Sequence, residues 1–90
     1  MQWVVYYLYS AKLQKHYIGK TDNINRRLEE HNNGQEIYTK TGMPWVLIGC
    51  VDCEDNIQAV RLESKLKKAK NPSYVRWYIE QHGNIAEKPN

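Results

Sequence analysis

Phenylalanine is missing from this 90-residue chain, although seven Tyr and three Trp are present. Nearly every large ring therefore carries a polar handle that needs a hydrogen bond or water, which favours rings at a boundary. Long apolar runs are missing too. The longest, residues 3–9, is about a third of the roughly 20 residues that cross a bilayer, and no basic segment like that of a signal peptide precedes it. This pattern excludes a membrane span and points to a soluble, intracellular, cytoplasmic protein without membrane partners. Cysteine is scarce: Cys50 and Cys53 cannot build a disulfide framework, and a lone C-x-x-C lacks the four ligands of a structural zinc site. Glu54 and Asp55 follow the pair, and their negative charge raises rather than lowers a thiol pKa, so two reduced thiols near a strand end are expected instead of a redox centre. Length makes the last exclusion. Residues 1–90 make one small domain, too short for separate cofactor and substrate domains.

Acidic side chains are few where basic ones gather. Lys and Arg number 13 against 10 Asp and Glu, a net charge of +3, and the excess is unevenly placed. Residues 61–76 carry Arg61, Lys65, Lys67, Lys68, Lys70 and Arg76 against Glu63 alone, and the first twenty residues carry Lys12, Lys15 and Lys20 with no acid. Such a surface suits a polyanionic partner, and equally a solvated helix face.

Residues 3–9 are β-branched or aromatic throughout and read as a strand covered on both faces. Residues 16–20 resume a short strand after a loop of about three to five residues, which predicts a hairpin. Asp22 or Thr21 can cap a helix over 23–33, with Asn33-Gly34 as its stop. Residues 35–44 have turn chemistry and no period. A third strand follows over 45–51. Asp55 with Gln58 forms a capping box that starts a helix to about Lys70, and Asn71-Pro72 starts a third helix to His82, ended by Gly83. The order is ββαβαα: an α+β fold with a small three-stranded mixed or antiparallel sheet flanked by three helices, ordered over about 3–82, with 84–90 a loose tail.

At about 100° per residue, Ile24 and Leu28 form the buried stripe of the first helix, with Arg27 and His31 beside it where core meets solvent. Arg27 there is either functional or a snorkelling side chain at the core edge. Arg26 and Glu30 fall at i,i+4 as an exposed ion pair. The second helix buries Ala59, Leu62, Leu66 and Ala69, with Glu63 at the rim of that stripe as the one acid on a basic helix. It suits an ion pair, or a divalent cation held against a phosphate. Tyr6 and Tyr17 lie on neighbouring strands, but the loop leaves their register open.

Taken in order, Val4-Val5-Tyr6, Tyr17-Ile18-Gly19, Arg27 ten residues after Tyr17, His31 four later and Glu63 on a following helix resemble the GIY-YIG nuclease family. The runs Arg-Arg-Leu-x-x-His-Asn at 26–32 and Gln-Ala-x-Arg-x-Glu at 58–63 are similar to it as well. The likeness spans about 3–82 and is nearest to small stand-alone members similar to the N-terminal part of excinuclease C. The first triplet keeps only its tyrosine, and Asn71 is the best-placed match to a late asparagine of the family.

The resemblance implies an endonuclease that hydrolyses DNA phosphodiester bonds with one Mg²⁺ or Mn²⁺ held by Glu63, in DNA repair or recombination. Arg27 would clamp a phosphate oxygen. Tyr6 or Tyr17 would orient or deprotonate the attacking water, and His31 would hydrogen-bond to a tyrosine hydroxyl or a phosphate. Gly19 would keep the backbone low beside the substrate. Lys20, Arg26, Lys40 and Lys67 would add sequence-independent contacts to DNA. A protein subunit could supply targeting, since the family's second domain has no counterpart here. The alternative is a binding module of the same fold that needs a second subunit for chemistry.

Overall fold

The computed structural model describes residues 3–86. Its first strand, β1 (Trp3–Ser10), is apolar at nearly every position because both of its faces are covered. Val5 and Tyr7 point to one side, and Tyr6 and Leu8 to the other, each side with its own core cluster. A four-residue turn leads to β2 (Lys15–Thr21), and both β2 and β3 (Trp45–Cys53) pair antiparallel with β1. Between β2 and β3 the chain forms α1 (Ile24–Asn32), a short loop and a single 3₁₀ turn at Lys40–Gly42. After β3 come α2 (Asn56–Ala69) and α3 (Pro72–His82). Leu62, Leu66, Val75 and Ile79 from these two helices bury against Val5, Tyr7, Ile48 and Val51, each contributing roughly 1.5–3 kcal/mol of burial. The class is α+β, as the element order predicts.

Helix α1 is capped by Asn23 and not, as expected, by Asp22 or Thr21: the Asn23 side chain accepts from Arg26 N at 3.0 Å. The starts of the other two helices follow the sequence. Asp55 accepts from Gln58 N at 2.8 Å, and the Gln58 side chain accepts from Glu54 N at 2.7 Å. Asn71 caps α3 through Tyr74 N at 3.2 Å, so this asparagine holds a helix end. Cys50 and Cys53 are free thiols, and burial raises the pKa of both.

Three further expectations are corrected. The tail begins with a strand: β4 (Asn84–Ile85) pairs with β3, giving a four-stranded, wholly antiparallel sheet in the order β2-β1-β3-β4. The close approach needs glycine on both sides, since a Cβ on Gly83 would strike the Cys50 carbonyl and one on Gly49 would strike Asn84 O at 2.5 Å. Residues 87–90 of the expected tail lie outside the described residues. Ala69 is exposed, because α2 ends there and Lys70 turns away in a left-handed conformation, φ 49°. His31 sits at the centre of its packing, not at the core boundary, and is the one fully buried residue of α1. Among the described residues no helix is long and apolar enough to cross a membrane.

Candidate active site

The hairpin register decides which side the tyrosines occupy. Tyr6 pairs with Gly19 and Leu8 pairs with Tyr17, so Tyr6 and Tyr17 are diagonal neighbours on one face. Their ring centroids lie 6.3 Å apart. Gly19 is where the Tyr6 ring crosses β2: a Cβ there would overlap the Tyr6 hydroxyl and its ring carbon. The glycine thus makes room for Tyr6, a contact more specific than lying low beside a substrate. Gly19→Ala is expected to cost about 1–3 kcal/mol by overpacking and to push the Tyr6 ring off its hydroxyl partners. Thermal unfolding, with the Tyr6 ring followed by NMR, checks this.

From α1, Arg27 and His31 reach the same hydroxyl. Arg27 Nε donates to Tyr6 Oη at 3.3 Å, and His31 Nε2 lies 2.9 Å from it. A guanidinium can only donate; in the tautomer that gives the phenol's own proton an acceptor, that proton is directed to His31 Nε2. His31 then carries its hydrogen on Nδ1 and donates to Thr39 Oγ1 at 2.7 Å. Thr39 Oγ1 donates in turn to the Glu36 carbonyl at 3.5 Å. The titration behaviour agrees with this chain. Burial is the main reason the Tyr6 phenol is pushed up to about 12, with the Arg27 hydrogen bond pulling the other way. Burial and the nearby Arg27 charge hold His31 below its ordinary value. Tyr17 is raised, again chiefly by burial.

The lowered His31 value has a stability consequence with a definite sign. The unfolded chain takes up a proton near pH 6.5 that the native chain resists. Stability is therefore complete above about pH 6.5 and declines as pH falls toward the native value. His16, also lowered by burial, adds in the same direction. Unfolding midpoints measured from pH 7.5 to 5 should fall in wild type and in His16→Gln, and fall less steeply in His31→Asn.

Arg27 is held on its other side by two carboxylates, Glu30 at 2.9 Å and Glu36 at 2.8 Å. Burial disfavours its charge, but hydrogen bonds to Tyr6, Glu30 and Glu36 outweigh that, and it is permanently cationic. Glu63 approaches from α2. Its charge raises both tyrosines, so it lies within electrostatic reach of both phenols. Lys67, one turn on, is 3.8 Å from the Glu63 carboxylate and sits 6.0 Å from the Tyr17 ring centroid. Tyr6, Tyr17, Arg27 and His31 therefore meet on one face of the sheet, and Glu63, from a helix packed against the other face, comes within electrostatic reach of both phenols.

A family model for the GIY-YIG catalytic domain matches residues 2–76, a span that includes all five. The chain belongs to the GIY-YIG family. That family is one of endonucleases, so the function is of nuclease type, with DNA as the substrate that such a domain implies. No curated protein and no solved structure matches the chain.

GIY-YIG nucleases generally use divalent metal ions. The donor set here fits one hard cation at one carboxylate. Among the described residues no group of three or more His, Cys, Asp or Glu is placed to hold a metal. Glu63, with its side chain 21% exposed and its lysine contact long, has oxygen lone pairs to offer. An ion such as Mg²⁺ keeps several waters and needs only one or two carboxylates. The half-buried thiol of Cys50 and the buried thiol of Cys53, both raised in pKa by burial, suit such an ion poorly.

The basic residues expected to meet DNA separate on the structure of this GIY-YIG domain. Lys67 belongs to the tyrosine cluster, and Lys40 is exposed at the start of the 3₁₀ turn. Lys20 lies over the Trp3 ring at 4.8 Å, on the opposite face with Ile18, because side chains alternate along β2. Arg26 is matched by Asp22 at 3.1 Å and Glu30 at 3.7 Å. Three further residues hold Arg27 and His31 in place: Glu30, Glu36 and Thr39. Glu30 was legible as an i+3 partner of Arg27. Glu36 and Thr39 come from a stretch without period, and no local signal marks them.

Proposed function

We propose that this GIY-YIG chain is a metal-dependent endonuclease that hydrolyses DNA phosphodiester bonds through Tyr6, Tyr17, Arg27, His31 and Glu63. One observation supports the reading above the others: a single buried hydroxyl, that of Tyr6, is shared by an arginine and a neutral histidine. A phenol pushed up to about 12 is a poor base alone. With His31 Nε2 at 2.9 Å it can take a proton from the attacking water while passing its own to the imidazole. Thr39 and the Glu36 carbonyl then support the imidazolium that forms. As the water oxygen bonds to phosphorus, the bond to the leaving oxygen breaks, and that oxygen collects a proton from solvent. Tyr17 would orient the water, and Arg27 would fork onto a non-bridging oxygen as charge develops there. Glu63 would hold the Mg²⁺ or Mn²⁺, which when bound supplies Lewis-acid stabilisation of the charge on the leaving group. Lys40 and Lys67 would contact the phosphate backbone, making binding steeply salt-dependent.

Purified protein incubated with plasmid, branched and single-stranded DNA in Mg²⁺ or Mn²⁺ tests the reading. Nicking that stops when the metal is chelated supports it. DNA affinity without turnover in any metal would instead support the binding module that needs a second subunit, and neither binding nor nicking would end both readings.

A further inference from the structure

At the β2 edge, where that strand meets the turn from α2 to α3, a cavity of about 490 Å³ opens on the protein surface. Its size falls in the ~300–1,000 Å³ range of small-molecule sites. Lys15, Lys67 and Lys70 line it, and none of the residues lining it is acidic. The N-terminal end of α3, at Pro72, closes one side and adds the positive end of an 11-residue helix. The remaining wall is apolar and aromatic, with Ile18 and Leu66 beside His16 and Tyr7. His16 stacks flat on Tyr7, with centroids 4.8 Å apart and planes within 6°.

Tyr7 marks this place as unfinished. It is 3% exposed, and its hydroxyl finds no hydrogen-bond partner among the described residues. It lines both this cavity and a smaller one of about 160 Å³ that shares His16 and Pro72. A buried polar group without a partner costs about 1–3 kcal/mol, a cost that a bound acceptor would relieve. Burial also keeps the phenol protonated, pushed up to about 12, so it is a donor.

We propose that this cavity is a nucleotide-binding site, which holds one base and its phosphate from the DNA strand that runs out of the candidate active site. Ammonium groups and a helix N-terminus suit the phosphate. A planar base suits the aromatic and apolar wall, where stacking is worth ~1–3 kcal/mol per base. Tyr17 and Lys67 belong to both places, so a strand held at the tyrosine cluster continues directly into the cavity. The assignment to a strand rests on the nuclease reading; the nucleotide chemistry of the cavity does not.

Binding of an eight-nucleotide oligothymidylate and of thymidine monophosphate to the full chain, followed by NMR at about 50 mM salt, tests the proposal. The oligonucleotide should shift Ile18, Leu66 and Val75. Lys15→Glu with Lys70→Glu should weaken its binding about tenfold, and Lys12→Glu with Lys68→Glu, the same charge change outside the cavity, about threefold at most. Tyr7→Phe should melt no lower than wild type without ligand, yet bind several-fold more weakly. Equal losses in the two lysine pairs, shifts confined to the Tyr6 and Arg27 face, or unweakened binding by Tyr7→Phe would overturn the site. Monophosphate binding as tight as that of the oligonucleotide would overturn the strand in favour of a free nucleotide. Cavity binding without nicking would sink the nuclease reading alone, and nicking unaffected by the cavity variants would sink this proposal alone.

Discussion

Glu63→Gln should reduce metal-dependent nicking by about a thousandfold or more while leaving the fold and DNA affinity near those of wild type. The substitution keeps the size of the side chain and removes its charge. Its one ion pair among the described residues, with Lys67, is 3.8 Å long, and the two side chains are 21% and 51% exposed, so its loss costs at most a few tenths of a kcal/mol. Stability is therefore not the route by which activity falls. Among the described residues no group of three or more His, Cys, Asp or Glu stands ready to hold the metal in its place. Raising Mn²⁺ should restore part of the rate, because a neutral amide oxygen is a weaker ligand for the same ion. Rates, melting temperature and affinity measured on one preparation decide the matter. Activity within tenfold of wild type would remove Glu63 from the chemistry and take the single-carboxylate metal site with it.

What the sequence made legible was local. Asp55 with Gln58 and Asn71 with Pro72 announce helix starts through contacts three residues long, and those contacts are present. The run 3–9 is apolar enough to declare a strand buried on both faces, and β1 is that strand. The order and spacing of Tyr6, Tyr17, Arg27, His31 and Glu63 carried the family. What stayed hidden depends on tertiary register. A four-residue turn does not decide whether Tyr6 faces Gly19 or its neighbour, and the face of both tyrosines follows from that one step. Lys20 falls on the face opposite the two tyrosines for the same reason. The short strand at Asn84–Ile85 has no period to read, and Gly83 announces only the end of α3, not the contact with Cys50 that lets the chain return. Thr39 and Glu36 lie where pattern is absent, yet the first completes the hydrogen-bond chain of His31 and the second holds Arg27.

That second contact gives Arg27 a testable balance. In the free protein all three nitrogens of the guanidinium are engaged, with two of its five N–H groups left over: Nε faces Tyr6, one terminal nitrogen faces Glu30, and the other faces Glu36. A phosphate clamped by a fork of two N–H groups competes with these carboxylates, and Glu36 is the partner outside its own helix. Arg27→Ala should lower the rate by about 10²–10³-fold, the range for removing one preorganised donor to a developing charge. Arg27→Lys should recover only part of this, because an ammonium cannot fork between two oxygens while also reaching Tyr6. Glu36→Gln should act in the opposite direction on binding. Freed of its competitor, Arg27 should hold DNA a few-fold more tightly at low salt, and the gain should shrink as salt rises. Glu29→Gln, the same charge change on an exposed position of α1, controls for the general rise in positive charge. The double variant Arg27→Ala/Glu36→Gln should lose the gain entirely, since the two effects share one guanidinium. Were Glu36→Gln and Glu29→Gln to tighten binding equally, with or without Arg27, the carboxylate would be acting on the field of the whole surface and Arg27 would not be the group that phosphate displaces it from.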